Sequence, residues 1–260
     1  MSAARILLVT VEDKICSITL NRPERRNALS RELIAALTEA ILAADIDPAV
    51  AVVTIIGAGE AFCAGADLKD ARAMDESGKP YRGPLHVAER SPFEAMIDSR
   101  KPLLAVVNGP AIAGGFELAL ACDLRVVAED AFFAVPGAKR GMGAHLASIL
   151  LPQIVPAGIA MEWLYTGRRI AVDEAERWGL VNRRAPRAQL SETAMELARD
   201  IASSAPLSLQ RMKLTYRKTL GMPLHSALRL DAGPDVYASE GRKEGARAFL
   251  ERRPPVWTGR

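Results

Sequence analysis

Short apolar runs alternate with glycine-containing loops in the first half of the chain. Six of these runs are rich in aliphatic or aromatic residues and too short for helices. They predict strands at 5–11, 15–20, 51–56, 102–107, 124–127 and 131–134. The first two are separated only by a polar turn and predict a β-hairpin. A strand, a glycine loop and a helix start follow one another twice, at 51–70 and 102–121. This alternation predicts an α/β fold.

Helical spacing first occurs behind Ser30, a residue type that often caps helices. Leu33, Leu37 and Ile41 recur every four residues and predict the buried face of a helix. The polar stretch 71–85 contains two glycines and two prolines, which predicts a mobile surface loop. A further helix is predicted between about residues 86 and 98, with a proline that blurs its start.

The second half of the chain is predominantly helical in pattern. Helices are predicted at 144–154, 156–164, 173–178, 189–203, 206–219 and 235–250. We therefore expect an α/β core over residues 1–190 and a helical C-terminal region over 191–260.

Composition and charge narrow the class of protein. Of 260 residues, 49% are hydrophobic and 25% are charged, which is typical of a globular chain with a sizeable core. The net charge is only +3, so we expect no nucleic-acid partner. Cys16, Cys63 and Cys122 are odd in number and not closely paired, which favours free thiols and a cytoplasmic location. No apolar run reaches the roughly 18 residues that span a bilayer, and no cluster has metal-ligand spacing, so neither membrane association nor a metal is expected.

The two glycine loops, "GAGEAFCAGAD" and "GPAIAGG", are the candidate chemical features. Neither ends in the Gly-Lys-Ser/Thr of a phosphate-binding loop. Two such loops that face each other could instead hold one oxygen atom between two backbone N–H groups, as an oxyanion hole does. Glu117 follows the second loop among apolar neighbours, where burial would raise the pKa of its carboxyl group. A buried structural acid is the alternative reading of Glu117.

Five segments together resemble the enoyl-CoA hydratase/isomerase (crotonase) family. They are "NRPERRNALS", "AFCAGADLKD", "KPLLAVVNGPAIAGGFELALACDLRVV", "YTGRRIAVDEAERWGLVN" and "KEGARAFLERRPP", in the family order from about residue 5 to residue 255. The resemblance implies a spiral of β-β-α turns with a C-terminal helical trimerisation region. It also implies a homotrimer or a dimer of trimers that acts on acyl-CoA thioesters. Coenzyme A would be part of the substrate, so no separate cofactor is expected.

The resemblance assigns roles to individual positions. Ala66 and Gly114 match the residues whose N–H groups form the oxyanion hole, and Glu117 matches the first catalytic glutamate of a hydratase. Positions expected to contact the coenzyme A part of the substrate are Arg25, Cys63, Ala64, Gly65, Asp67 and Leu68. Two of these have structural alternatives, since Cys63 could be an apolar filler and Asp67 could order its loop.

One position departs from the hydratase pattern. Gly137, in the substrate-contacting stretch after Pro136, stands where a hydratase carries its second glutamate, and the following turn into the next helix is one residue short. With Glu117 alone, two-carboxylate addition of water should be impaired, because hydration needs one group for the water and one for the α proton. The resemblance then favours an isomerase or an atypical hydratase. His145 could supply the missing group in a decarboxylase, hydrolase or lyase, or be structural; a non-catalytic acyl-CoA binder is a further alternative.

Overall fold

The computed structural model describes residues 5–78 and 90–260. Nine strands lie in these residues: β1 (Leu7–Glu12), β2 (Ile15–Leu20), β3 (Val52–Gly57), β4 (Leu103–Val107), β5 (Ala111–Ile112), β6 (Leu124–Ala128), β7 (Phe132–Ala134), β8 (Arg169–Ala171) and β9 (Arg183–Ala185). The helices that they contain are α1 (Arg31–Ile46), α2 (Leu68–Glu76), α3 (Pro92–Asp98), α4 (Gly114–Ala121), α5 (His145–Ile154), α6 (Ala157–Thr166), α7 (Val172–Arg177), α8 (Leu190–Ala202), α9 (Pro206–Thr219), α10 (Leu224–Ala227) and α11 (Glu240–Glu251).

The strands form two sheets. The larger has the order β1-β2-β3-β4-β6-β9, in which β1 and β2 are an antiparallel hairpin and all other neighbours are parallel. The smaller has the order β5-β7-β8. Parallel neighbours need crossover connections, so β3 and β4 both end at the same edge of the sheet. This edge is where both glycine loops begin.

The core lies between the larger sheet and the helices packed on it. All five residues of β4 are buried, which explains why its sequence is continuously apolar rather than alternating. Phe62, Phe93, Phe116, Phe133 and Trp163 are fully buried. The helix predicted behind Ser30 is confirmed: Ser30 accepts a hydrogen bond from the Leu33 amide, and α1 buries Leu33, Leu37 and Ile41.

Three helix boundaries differ clearly from the sequence expectation. The helix predicted at 235–250 begins at Glu240, because Ser239 caps it by accepting a hydrogen bond from the Arg242 amide. Residues 71–76 belong to α2 and not to a loop, because the helix-breaking glycines and prolines begin only at Gly78. The helix predicted from about residue 86 begins at Pro92, since Ser91 forms a capping box with Glu94. Residues 79–89, which include the rest of the predicted loop and the predicted start of that helix, lie outside the described residues. Strands β5, β8 and β9 and helix α10 were not predicted, because each has at most four residues and lacks the run of aromatic or aliphatic residues that marks the equally short β7.

The C-terminal helices join the core through a buried ion pair. Lys213 of α9 donates to Asp123 Oδ2 at 2.7 Å and to the backbone carbonyl of Lys101 at 2.7 Å. The division at residue 190 stays a prediction. Within 5–78 and 90–260, no helix is long and apolar enough to cross a membrane.

Candidate active site

Ala66 lies in a short extended segment beside Leu29. The Leu29 amide donates to Gly65 O at 2.8 Å, and the Asp67 amide donates to Leu29 O at 3.2 Å. In such a parallel bridge, the residues before and after Ala66 make the hydrogen bonds. The N–H of Ala66 itself therefore faces away from Leu29.

Gly114 is the first residue of α4, so its N–H has no acceptor inside the helix. The residue before it, Ala113, has φ 50° and ψ −119°, a backbone conformation that favours glycine. The Ala113 amide donates to Ala134 O at 2.8 Å and thereby ties the start of α4 to β7. This strained residue turns the chain sharply from β5 into α4.

The two loops approach each other at Gly65 and Gly114. A Cβ atom built on Gly65 would lie 3.2 Å from the Gly114 amide nitrogen, and one built on Gly114 would lie 3.8 Å from the Ala66 amide nitrogen. Gly65 has φ +87°, which a residue with a side chain rarely adopts. The structure thus brings close together the backbone amides of Ala66 and Gly114, which lie in separate loops and which the family resemblance singled out as expected donors.

Glu117 lies one turn into α4 and points toward α5. Its Oε1 accepts a hydrogen bond from the Ala147 amide at 3.0 Å, in the first turn of α5. Burial raises the pKa of the Glu117 carboxyl, although amide hydrogen bonds and nearby His145 act in the opposite direction. A proton acceptor with a raised pKa is suited to general acid–base chemistry. Its contact with the helix start means that the same carboxylate also caps α5, whose own N-cap residue, Ala144, makes no side-chain cap.

Gly137 is buried under the loop that leads into α5. Its carbonyl accepts hydrogen bonds from the amides of Arg140 and Met142, both at 2.9 Å. A Cβ on Gly137 would lie 2.9 Å from Met142 O and 3.0 Å from Gly143 O. The short loop therefore occupies the space that a glutamate side chain at this position would need.

His145 is the first residue of α5, and its side chain is exposed. It lies near enough to lower the pKa of the Glu117 carboxyl. The loop is short, yet it still delivers His145 to the neighbourhood of Glu117. Among the described residues, there is no cluster of three or more His, Cys, Asp or Glu side chains that could hold a metal ion.

A family model described as Enoyl-CoA hydratase/isomerase matches residues 10–260. The chain belongs to the enoyl-CoA hydratase/isomerase family. A curated relative from Salmonella typhi, named carnitinyl-CoA dehydratase, is 42% identical over 262 residues, which cover 98% of each chain.

Solved structures of this family share the fold. An enoyl-CoA hydratase from Mycobacterium tuberculosis H37Rv has a TM-score of 0.88 and 35% identity and covers 98% of this chain and 99% of its own. An enoyl-CoA hydratase from Bacillus anthracis has a TM-score of 0.87 and 31% identity, with 98% and 100% covered. The mixed α/β crotonase fold expected from the sequence is thus confirmed.

The remaining positions that the family resemblance singled out have varied surroundings. Cys63 is fully buried, and burial raises the pKa of its thiol to about 12, so this group is a poor nucleophile. The Ala64 amide donates to Arg26 O at 3.0 Å. Arg25 and Leu68 are exposed to solvent, so a ligand could reach both side chains. Asp67 faces Arg22, with an Oδ2–Nη2 distance of 3.0 Å.

Two buried asparagines that the sequence reading missed hold the first glycine loop. Asn27 Nδ2 donates to Ala58 O at 2.9 Å and to Ala61 O at 2.8 Å. Asn108 Nδ2 donates to Gly57 O and to Gly59 O, both at 2.8 Å. The available signal was the pair of asparagines in "ERRNAL" and "VVNGP", since asparagine is favoured where backbone turns need side-chain hydrogen bonds.

Proposed function

We propose that this chain is an acyl-CoA enzyme that stabilises a thioester enolate between the N–H groups of Ala66 and Gly114. Glu117 is its acid–base group, and coenzyme A is part of the substrate rather than a separate cofactor. The observation that carries the proposal is the approach of Gly114 to the Ala66 amide, with Glu117 one turn further along α4.

The chemistry follows from these positions. When ionised Glu117 removes a proton from the carbon next to the thioester, negative charge moves to the thioester oxygen. Two backbone N–H groups that are already directed at that oxygen stabilise the charge, at roughly 2.7–4 kcal/mol for each donor in comparable sites. Protonated Glu117 can then return the proton to the same carbon or to another one along the acyl chain.

The substitution at Gly137 limits which reaction Glu117 performs. Moving a double bond needs one group that shuttles a proton, so isomerisation of a 3-enoyl thioester requires Glu117 alone. Hydration of a 2-enoyl thioester, or the reverse dehydration, also needs a group that handles water. The names of the relatives favour hydratase chemistry, and the position of His145 makes it available for that second role.

A second candidate is a decarboxylase, hydrolase or lyase in which His145 works with Glu117. The observation that favours it is the proximity of His145 to Glu117 together with the loss of the second carboxylate at Gly137. Imidazole can exchange protons near neutral pH, as such reactions require.

The test is a panel of coenzyme A thioesters assayed by mass spectrometry and NMR. The panel contains crotonyl-CoA, a 3-enoyl-CoA, a 3-hydroxyacyl-CoA, a β-ketoacyl-CoA and a malonyl-type CoA. We expect turnover of the 3-enoyl or a hydroxyacyl thioester, and loss of that turnover in Glu117→Gln but not in Glu196→Gln, an exposed control on α8.

The outcomes separate the alternatives. If His145→Ala abolishes water addition but spares isomerisation, the imidazole is the second group of an atypical hydratase. Turnover of only the β-keto or malonyl substrate would favour the second candidate. Full activity in Glu117→Gln would contradict the assignment of Glu117, and binding without any turnover would indicate a non-catalytic acyl-CoA binder.

We also propose a homotrimer or a dimer of trimers in the cytoplasm. Large apolar side chains on the C-terminal helices support the assembly, since Leu224, Leu228, Phe249 and Leu250 are each more than 70% exposed in the single chain. Analytical ultracentrifugation should give three or six times the monomer mass of 28.0 kDa. A monomer would contradict this proposal without affecting the catalytic one.

A further inference from the structure

We propose that Arg22 is a positioning residue for the oxyanion hole, which it holds in place through an ion pair with Asp67. The inference rests on the proposed role of the Ala66 N–H. It assigns a function to Arg22, which contacts neither of the proposed donors, and gives Asp67 a role other than ligand contact.

Arg22 connects two chain segments that run side by side. Its Nη1 donates to Ala28 O at 2.5 Å, and its Nη2 donates to Asp67 Oδ2 at 3.0 Å. These partners stand next to Leu29 and Ala66, which form the parallel bridge between the segments. The guanidinium group thus links the two segments at the level of the Ala66 donor.

Asp67 is fixed on several sides. Its amide donates to Leu29 O, and its Oδ1 accepts from the Lys69 amide at 3.2 Å, in the first turn of α2. Burial alone would raise the pKa of the Asp67 carboxyl, but hydrogen bonds from Arg22 and Lys69 and the charges of Arg22 and Arg25 lower it overall. Asp67 is consequently ionised at neutral pH and keeps its ion pair with Arg22.

The burial of this pair distinguishes it from an ordinary surface ion pair. The Arg22 and Asp67 side chains are only 16% and 9% exposed. An ion pair so shielded from solvent is weakened less by salt than an exposed one. Its arginine also bonds a backbone carbonyl, so the guanidinium fork is held in one orientation.

The direction of the Ala66 N–H depends on the parallel bridge between Ala66 and Leu29. The peptide unit between Gly65 and Ala66 carries the Ala66 N–H, and its carbonyl is held by the hydrogen bond from the Leu29 amide to Gly65 O at 2.8 Å. The anchor on the other side of Ala66 is Asp67. Without the Arg22 contact, the segment that carries Leu29 could shift relative to residues 65–67. The Ala66 N–H would then lose the fixed direction that an oxyanion donor requires.

The experiment compares Arg22→Met, Asp67→Asn and the double variant with wild type. Asp67→Asn is nearly isosteric and keeps an acceptor for the Lys69 amide, so it tests the ion pair even if Arg22→Met folds poorly. Arg100→Met is the matched control. Arg100 likewise bonds a carboxylate and a backbone carbonyl, both of Asp45, but it precedes β4 and so lies at the opposite edge of the sheet from the site.

The direct readout is the infrared carbonyl band of bound [1-¹³C]butanoyl-CoA, a saturated thioester that does not undergo hydration. In wild type and Arg100→Met we expect the band to move to lower frequency on binding, because the two N–H groups polarise the carbonyl. In Arg22→Met and Asp67→Asn this shift should become clearly smaller, because the Ala66 N–H is misdirected while the Gly114 N–H remains in place. The kcat should fall about 10-fold to 100-fold with a smaller change in KM, as expected for a misplaced transition-state donor. The double variant should be no worse than the single ones.

The two proposals fail in different ways. A wild-type shift that persists undiminished in Arg22→Met and Asp67→Asn, with kcat unchanged, would overturn the role of Arg22 while leaving the oxyanion hole in place. A loss of thermal stability with unchanged kcat per folded molecule would also overturn it, because that is the result of a purely structural pair. No shift in wild type would overturn the oxyanion hole and the present inference together.

Discussion

The loop after β3 and the loop after β4 each contribute one of the two proposed oxyanion donors, yet different interactions hold them. The first loop, residues 58–67, is held by side chains from other segments: the amides of Asn27 and Asn108 bind its carbonyls, and Arg22 binds its last residue. The second loop, residues 108–113, is held mainly through backbone hydrogen bonds to the first loop and to β7, with one side-chain contact from Arg187 to Asn108 O.

Backbone contacts dominate around the second loop because Gly109 in the loop and Gly115 just after it, in α4, fit closely against the first loop. A Cβ on Gly109 would lie 1.9 Å from Glu60 O, and one on Gly115 would lie 2.1 Å from Cys63 O. The Ile112 amide donates to Cys63 O at 2.9 Å. A loop held by side chains should weaken in steps as each is removed, whereas a loop held by close backbone contact should fail at once. Glu117, the proposed titratable catalytic group, follows the second loop.

The largest expected effect is the loss of folded protein in Gly115→Ala. The added methyl group would meet the Cys63 backbone at 2.1–2.7 Å, a clash that the packed loop cannot relieve. The neighbouring variant Gly114→Ala is the control, since its methyl would meet first the movable end of Leu29 at 3.1 Å. We expect Gly115→Ala to give little soluble protein and Gly114→Ala to fold but to lose activity, as measured by soluble yield, thermal unfolding and turnover. Equal folding of both variants would refute the contrast.

The second effect is catalytic and belongs to Glu117. Glu117→Gln should lower kcat by about 100-fold or more, because the amide cannot accept the substrate proton. In wild type, kcat/KM should fall as the pH is lowered through the carboxyl pKa, which lies above the ordinary range of glutamate. The pH–rate profile measures this limb, and its persistence in Glu117→Gln would assign it to another group.

The same pKa shift has a consequence for stability. A carboxyl group whose pKa is raised by folding contributes stability below its unfolded pKa and loses that contribution as the pH rises through the folded value. The side chain of Glu117→Gln stays neutral at every pH, so the variant does not lose this stability as the pH rises. It also keeps an acceptor for the Ala147 amide. Urea unfolding should therefore find the variant more stable than wild type at pH 8, and the difference should shrink toward pH 4.

The third effect tests the side chains that hold the first loop. Asn27→Ala removes three hydrogen bonds, to the amide of Arg22 and the carbonyls of Ala58 and Ala61, and leaves one buried and two partly buried groups without this partner. We expect a loss of about 2–3 kcal/mol in the free energy of unfolding. Asn21→Ala, which removes an exposed hydrogen bond, should change it by less than about 0.5 kcal/mol. Denaturant titrations measure both free energies of unfolding. Similar losses in the two variants would contradict the idea that individual buried side chains hold the first loop.

The smallest effect concerns backbone strain in the second loop. Ala113→Gly should raise the free energy of unfolding by up to about 1 kcal/mol, because glycine adopts the positive φ of this residue without strain. Ala111→Gly, in the adjacent strand β5, should lower it by about 1 kcal/mol, since ordinary strand geometry disfavours glycine. The opposite signs, read from urea unfolding of the pair, are the test; a loss of stability in both would remove strain as the explanation.

Much of the fold was readable from the chain because its signals are local. The hairpin, the buried strands at 51–56 and 102–107, the Ser30 cap and the start of α4 at Gly114 all follow from periodicity, capping and glycine placement within a few residues. Boundaries failed where an unrecognised cap decided them, as at Ser91, or where loop composition was averaged over a window that still held part of α2. Strands of two or three residues have too few positions for any period, and only β7, with its two phenylalanines, was predicted from its composition.

The candidate site divides in the same way. The sequence itself showed two glycine loops before helices and Glu117 in an apolar run, because such patterns are visible in one dimension. The family resemblance then picked Ala66 and Gly114 out of these loops. It also marked Gly137 as a departure from the two-glutamate pattern, but not that main-chain carbonyls fill the space beside it. Arg22, Asn27 and Asn108 could not be assigned, since each acts on a loop that lies 31–51 residues away for the asparagines and 45 residues away for Arg22.

The sequence by itself determined which groups are present: two loops with free backbone donors, one carboxylate among apolar neighbours and no second glutamate at Gly137. The tertiary structure alone decided how they are arranged. Parallel pairing of β3 with β4 brings both loops to one edge of the sheet, and glycine contacts at Gly65 and Gly115 set their separation. The direction of each N–H then depends on contacts between distant segments, such as Leu29 beside Ala66, whose strength comes from burial and geometry rather than from the identity of neighbouring residues.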